Sequence, residues 1–389
     1  KGPLTGAIAC SNSGGFFGAE LKNAGWDMII FEGRAEAPVY LDINNDQASL
    51  KDASQLWGTS VWETEDKLRE IRGDDDIRVA SIGSAGERGV LFAAIVNDKD
   101  RAAGRSGVGA VMGSKNLKAV AVRGTVGVTV DDPMGLMKAS GAAKGAISEN
   151  AVTSQGLPTY GTQVLMNVIN ELGALPTRNA TEVQFEGASL ISGEAMTEPR
   201  KSDGEANLVS NHACFGCPIS CGRQSKIDPE HFTVKGKSQY QIVSGGLEYE
   251  NAWGLGVATG VSDLEALTFA NFLCNEQGLD PITCGSTIGA AMELYAMGVI
   301  TSDDTNGIEL EFGSAKALVE ILEATVKGEG FGRDIALGSK RLCDKYGHPE
   351  LSMTVKSQEF PAYDPRGIQG MGLTYATSNR GACHLRSYT

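Results

Sequence analysis

Cys214-Phe215-Gly216-Cys217-Pro218-Ile219-Ser220-Cys221 puts three thiols within eight mid-chain positions, in the spacing C-x2-C-x3-C. Three side chains of one chemistry must then leave a single short loop. Gly216 and Gly222 permit the tight backbone, and Pro218 stiffens it. A loop of this kind suits iron–sulfur ligation, in which each iron takes one thiolate from the protein. Zinc is the main rival, although zinc ribbons supply two separated C-x2-C pairs or histidines. Three buried, unligated cysteines are the plainer alternative. A four-iron cluster also takes a fourth ligand, and the next cysteine, Cys274, lies far downstream. The remaining thiols, Cys10, Cys284, Cys343 and Cys383, are scattered and do not resemble a secreted disulfide framework.

Composition narrows the field further. The chain has 389 residues, with 34 basic against 48 acidic side chains and a net charge of −14. So acidic a chain is a poor partner for nucleic acid, whose phosphates need clustered Lys and Arg. No apolar run approaches the roughly 20 residues of a membrane span, so no membrane partner and a cytoplasmic location are expected. Glycine contributes 50 residues without a G-X-Y period, which points to tight turns or close ligand approach rather than collagen. Lys1-Gly2-Pro3-Leu4-Thr5-Gly6 reads like the interior of a larger domain, and no terminal helix follows His384. The chain is therefore expected to continue in both directions.

Apolar runs separated by glycine turns predict strands at Met28–Phe31, Pro38–Leu41, Arg78–Ile82, Val90–Val96 and Leu117–Val122. From about residue 131 the periodicity turns helical. Ser262-Asp263-Leu264-Glu265 reads as a capping box opening a helix through about Cys274. Further helices are expected near 286–297, 314–327 and 333–345, with residues 178–245 irregular. The class is α+β: a β-rich N-terminal domain over 1–128, a mainly helical domain with the cysteine loop over 129–350, and the start of a third, helical domain over 351–389.

Two loops of the first domain are suited to holding an anion. Ser11-Asn12-Ser13-Gly14-Gly15 and Arg101-Ala102-Ala103-Gly104-Arg105 expose backbone N–H groups, and Arg101 and Arg105 add positive charge. Neither fits a Walker A pattern or a strand–G-x-G-x-x-G–helix unit. Both loops, with Gly2-Pro3-Leu4-Thr5-Gly6, Gly109-Ala110-Val111-Met112-Gly113-Ser114-Lys115, the cysteine triplet, Glu248-Tyr249-Glu250, Gly278-Leu279-Asp280, Asp364-Pro365-Arg366-Gly367 and Ala382-Cys383-His384-Leu385-Arg386, resemble the aldehyde:ferredoxin oxidoreductase family. The matches run in the family's order from end to end.

The resemblance implies a tungsten or molybdenum bis-pterin (tungstopterin) beside a [4Fe–4S] cluster. It implies oxidation of an aldehyde substrate to the carboxylate, with electrons leaving to ferredoxin or an iron–sulfur partner subunit. An oxygen-sensitive multimer is also implied. The backbone at Asn12, Gly14, Arg101 and Ala102 would cradle the pterin phosphates, and the Asn12 and Ala102 carbonyls would bind Mg²⁺. Cys214, Cys217 and Cys221 would give three cluster thiolates, the fourth coming from a D-x-x-G-L-C loop beyond residue 389. The family's D-x-x-G-L-D pterin loop falls on residues 275–280. Leu279 and Asp280 would touch the pterin, while Asn275 stands where the family has Asp and lacks its charge. Arg386 would face the cofactor. Glu250, Tyr249 and His384 would lie near the metal, Glu250 as a proton shuttle and His384 as a hydrogen-bond donor. Glu248 is read as a solvated acid, and His212 as a candidate hydrogen-bond partner of the cluster. Aryl-CoA reductases within the family and a cluster-only electron-transfer or scaffold subunit are the alternatives, with a zinc-ribbon module beyond them.

Overall fold

The computed structural model of the protein describes residues 1–388. Six strands from its first third form one mixed sheet: β1 (Val39–Asn44), β2 (Gln47–Asp52), β3 (Arg78–Ser81), β4 (Ile95–Asn97), β5 (Arg101–Ala103) and β6 (Leu117–Arg123). Their order is β2-β1-β6-β3-β4-β5. The apolar run of β6 explains its central place, parallel to β1 on one side and antiparallel to β3 on the other. Lys118 interrupts that run and is fully buried. Its ammonium donates to the Glu87 carboxylate at 2.5 Å and the Thr59 carbonyl at 2.8 Å, so the buried charge is paired and bonded.

Two strand expectations need correction. Met28–Phe31 forms no strand; Met28 and Ile30 are exposed while Ile29 and Phe31 pack against the sheet. Of Val90–Val96, only Ile95 and Val96 enter a strand. The preceding backbone pairs instead with the loop after the helix Leu264–Gln277. Ala94 N–H donates to Gly278 at 2.8 Å, and Asp280 N–H donates to Phe92 at 3.1 Å. This pairing brings the Gly278-Leu279-Asp280 loop against the first sheet.

The rest of the chain is mainly helical, which makes the class α+β. The helices Leu264–Gln277, Pro281–Ala296 and Ala315–Lys327 carry most of the core, and the first two are buried over most of their length. Their N-caps are Asp263, Asp280 and Ser314, each accepting from a backbone N–H of the first turn. The expected capping box at Ser262 is therefore wrong by one residue. Glu265 turns away from its own helix and accepts from Asp228 N–H at 2.8 Å. The helix expected at 286–297 begins earlier, at Pro281, where an Asp cap followed by proline sets the first turn. The helix expected at 333–345 breaks at Gly338, whose φ of 80° is left-handed, leaving Gly332–Ile335 and Ser339–Lys345.

Residues 178–245 are less irregular than expected. β7 (Leu208–His212), β8 (Gly222–Ser225) and β9 (Ser244–Gly245) form an antiparallel sheet in that order. His212 pairs with Gly222, so the cysteine loop is the connection at the end of a hairpin. No helix among the described residues is long and apolar enough to cross a membrane.

Candidate active site

The cysteine hairpin leans on the first phosphate-type loop. Phe215 N–H donates to Gly15 at 3.2 Å, and the Phe16 and Phe215 rings meet edge to face at 6.3 Å. A Cβ at Gly14 would lie 2.8 Å from Cys214 Sγ, so only glycine allows this approach. The second loop is fastened to the first: Asn97 Nδ2 donates to the Gly14 carbonyl at 3.0 Å, and Arg105 N–H donates to Ser11 Oγ at 3.2 Å. Asn12 and Gly14 are exposed; Arg101 and Ala102 are half-buried on β5. The fold thus brings Asn12, Gly14, Arg101, Ala102 and Cys214 into one neighbourhood.

Cys214, Cys217 and Cys221 are half-buried and free of disulfides. Burial pushes the Cys221 thiol up, helped by the Glu248 carboxylate and opposed by Arg101. Among the described residues, no three Cys, His, Asp or Glu side chains converge closely enough to hold a metal. His212 does not serve the thiols. Its ring nitrogens lie 2.8 Å from Arg101 Nη2 and 3.0 Å from Gln224 Nε2. Glu248 is not a free surface acid either: it accepts from Thr162 Oγ1 at 2.6 Å and stands 4.0 Å from Arg101.

The second centre is largely enclosed, with the His384 and Glu250 side chains 13% and 14% exposed. Glu250 lies in the first turn of the helix Tyr249–Leu255, and its Oε2 accepts from Ala362 N–H at 3.1 Å. Its Oε1 lies 3.8 Å from His384 Nδ1, and neither atom has a hydrogen-bond partner. Distance alone would suggest an ion pair. Burial pushes Glu250 up to about 8, with Arg105 opposing, and drives His384 down to about 3, with Arg105 and Arg380 reinforcing. Near neutrality the two therefore face each other as a carboxylic acid and a neutral imidazole.

Tyr249 is fully buried, and its hydroxyl donates to the Ala362 carbonyl at 2.7 Å. Asp280 caps its helix, accepts from Thr283 Oγ1 at 2.8 Å and lies 3.6 Å from Arg105 Nε. Leu279 is buried in the pairing with Ala93, and Asn275 is buried near the end of its helix. Arg386 is exposed and lines a cleft of about 430 Å³ with Cys10, Ser378, Asn379 and Arg380.

Models of the aldehyde ferredoxin oxidoreductase family match the chain, the N-terminal domain over residues 1–124 and domains 2 and 3 over residues 138–389. The chain belongs to the aldehyde ferredoxin oxidoreductase family. It is 47% identical over 389 residues to the tungsten-containing aldehyde ferredoxin oxidoreductase of Pyrococcus furiosus, covering 100% of this chain and 61% of that protein. The corresponding Thermococcus kodakarensis enzyme is 46% identical with the same coverage. A similar solved structure is the active site complex BamBC of benzoyl coenzyme A reductase with 1,5-dienoyl-CoA. It has a TM-score of 0.80 and 26% identity, over 97% of this chain and 57% of that one. The chain spans about 61% of the length of the curated relatives it matches.

Three residues at this family member's buried centre carry no sequence signal that marks them as site residues. Arg105 reads in the sequence as part of an open anion loop but is 5% exposed and turned inward. Arg380 is 2% exposed, with Nε and Nη2 unpartnered. Glu359 is fully buried and accepts from Ser339 N–H at 3.1 Å. Lone charges in loops carry no periodic signal, so only the fold shows that these three are buried.

Proposed function

We propose that this chain forms the catalytic part of an aldehyde oxidoreductase that binds a tungsten or molybdenum bis-pterin, a [4Fe–4S] cluster and Mg²⁺. The observation carrying this reading is the buried Glu250–His384 pair, set among buried polar atoms with no partner: Glu250 Oε1, His384 Nδ1, Arg105 Nε, and Arg380 Nε and Nη2. Unpartnered buried groups cost about 1–3 kcal/mol each, so a centre that keeps several is suited to a polar ligand. Most of these atoms are donors, which fits a pterin cofactor rich in anionic oxygen. The half-buried, soft thiol donors of Cys214, Cys217 and Cys221 fit iron, with the loop drawing inward around a cluster.

Bound there, the pterin-held metal would supply two-electron oxidation of the aldehyde, with water as the oxygen source, and the cluster would release the electrons singly. The chain's own residues bind, orient and move protons. The backbone at Asn12, Gly14, Arg101 and Ala102, with the Arg101 guanidinium, would hold phosphate, and the Asn12 and Ala102 carbonyls would hold Mg²⁺. Leu279, Asp280 and Arg386 hold the pterin, with Asn275 contributing an uncharged amide. Glu250, with its raised affinity for a proton, exchanges one at Oε1 near neutral pH. His384 stays neutral and donates a hydrogen bond to the aldehyde oxygen. Tyr249, whose hydroxyl is committed to Ala362, acts by positioning Glu250 rather than by touching substrate.

The aryl-CoA reductase alternative shares the fold at 26% identity, against 47% for the aldehyde enzyme. Anaerobically purified full-length protein should contain tungsten or molybdenum with iron, and should oxidise benzaldehyde or acetaldehyde with a ferredoxin or a viologen dye. Reduction of benzoyl-CoA without aldehyde oxidation would favour the alternative. Zinc alone, in a colourless protein, would sink both. Ferredoxin or an iron–sulfur subunit as acceptor, a multimeric state and a cytoplasmic location belong to the same proposal.

A further inference from the structure

Arg105 contacts four segments around the buried centre, those of Ser11, Asp280, Glu359 and Ala382. Its Nη2 donates to the Glu359 carbonyl at 2.7 Å, and its Nη1 donates to the Ala382 carbonyl at 3.3 Å. Glu359 leads to Ala362, whose N–H fixes Glu250 and whose carbonyl fixes Tyr249. Ala382 leads to His384. Arg105 Nε faces Asp280, and its own N–H reaches Ser11 in the first phosphate-type loop. We infer that Arg105 is the positioning residue of the site: its planar fork ties the segment that holds Glu250 to the segment that carries His384, and so sets their 3.8 Å separation.

Two further features support the assignment. The clasp is doubled by Gln358, whose Nε2 donates to the same Ala382 carbonyl at 2.6 Å while Ser106 Oγ donates to its Oε1 at 2.6 Å. The Glu359 side chain is anchored as well. Thr283 Oγ1 lies 2.8 Å from Asp280 Oδ2 and 2.9 Å from Glu359 Oε2, yet a hydroxyl has one hydrogen. Thr283 can donate to only one of these two carboxyl groups at a time, and burial pushes the Glu359 carboxyl up. The Arg105 charge also acts on the pair directly. It disfavours a proton on His384 and favours an ionised Glu250. Arg380, Asp280 and the phenols of Tyr249, Tyr363, Tyr375 and Tyr388 are the other groups acting on one or both.

This inference rests on reading Glu250 and His384 as the proton-handling pair, and its test separates the two. In full-length holoenzyme, Arg105→Gln removes charge and fork, whereas Arg105→Lys keeps the charge and cannot reach both carbonyls. Both variants should lose about 100-fold in kcat per bound tungsten with aldehyde KM little changed, as for a misplaced reacting group. In Arg105→Gln the acid limb of the kcat profile should also move to higher pH, because the cation opposing His384 protonation is gone. In Arg105→Lys it should stay. Unchanged kcat per tungsten in both variants, or loss that tracks tungsten content alone, overturns the inference. A second reading needs no activity: carbethoxylation of His384 by diethyl pyrocarbonate, followed by mass spectrometry, with His212, His231 and His348 as internal references. His384 should react at least about tenfold faster in the variants as its segment comes loose. Equal rates overturn the inference. Should Arg105→Gln fail to fold, Arg105→Lys carries the kcat and labelling readings. Absence of tungsten and aldehyde activity from the wild-type protein would defeat the functional reading alone, and the labelling would still decide the role of Arg105.

Discussion

The Glu250–His384 centre and the cysteine loop lie in the same family fold but are organised in opposite ways. At the first, a backbone amide holds the Glu250 carboxyl, and a buried arginine with a doubled clasp ties down the segment that carries His384. At the second, a hairpin fixes only the base of the loop, and its three half-buried thiols do not converge. Chemistry that moves protons needs geometry set in advance, because a small displacement costs rate. A metal–thiolate site can be closed by the bonds it forms, so its apo loop needs only the right chain length and a firm stem.

The contrast is broken most sharply at Glu250. Glu250→Gln can still accept from Ala362 N–H but cannot exchange the proton, so kcat should fall by about 10²–10⁴-fold with no loss of thermal stability. Parallel loss of thermal stability would mean that the centre is not preformed. The converse holds at the loop. Cys217→Ala should abolish iron binding and absorbance near 400 nm while leaving the unfolding midpoint of the apo protein within about 0.5 kcal/mol of wild type. A strongly destabilised apo variant would show the loop to be prebuilt.

A third measurement sharpens the comparison through pH. Glu250 binds its proton more tightly folded, with a pKa of about 8, than unfolded, at its ordinary value of 4.5. Its contribution is therefore fully present below the unfolded value and is lost as pH rises through about 8. Urea unfolding of the apo protein should show stability declining across that window by several kcal/mol, since each pH unit between the two values is worth about 1.4 kcal/mol. In Glu250→Gln this component should vanish; an identical pH slope in the two proteins would contradict the burial argument. The smallest effect is expected from Gly14→Ala. Its Cβ meets Cys214 Sγ in a region where both loops can yield, so stability should change by less than about 1 kcal/mol. Iron content should nevertheless fall, and full iron loading would show that this close approach is dispensable.

Legibility in the sequence followed the same division. Leu117–Val122 and the helix after Ser314 were readable because burial imposes a period on them. β2 was not, since all six of its residues are exposed and no alternation marks it. Met28–Phe31 has the composition of a strand but no neighbouring backbone to pair with. The cysteine loop stood out by its spacing, and Glu250 and His384 through family motifs alone. Arg105 stood out as a loop charge, but a glycine-flanked arginine looks the same whether it faces solvent or the interior. Glu359 and Arg380 lacked any local signal, since their significance comes from segments that meet only in the fold.

Asp280 shows what such convergence does to a protein's freedom to change. One carboxylate starts a core helix, receives the Thr283 hydroxyl and faces Arg105. Asparagine could keep the first role but would leave the arginine without its counter-charge. Alanine would forfeit all three at once. Position 280 is thus a bottleneck for evolutionary drift, where a viable exchange requires compensating changes in two other segments.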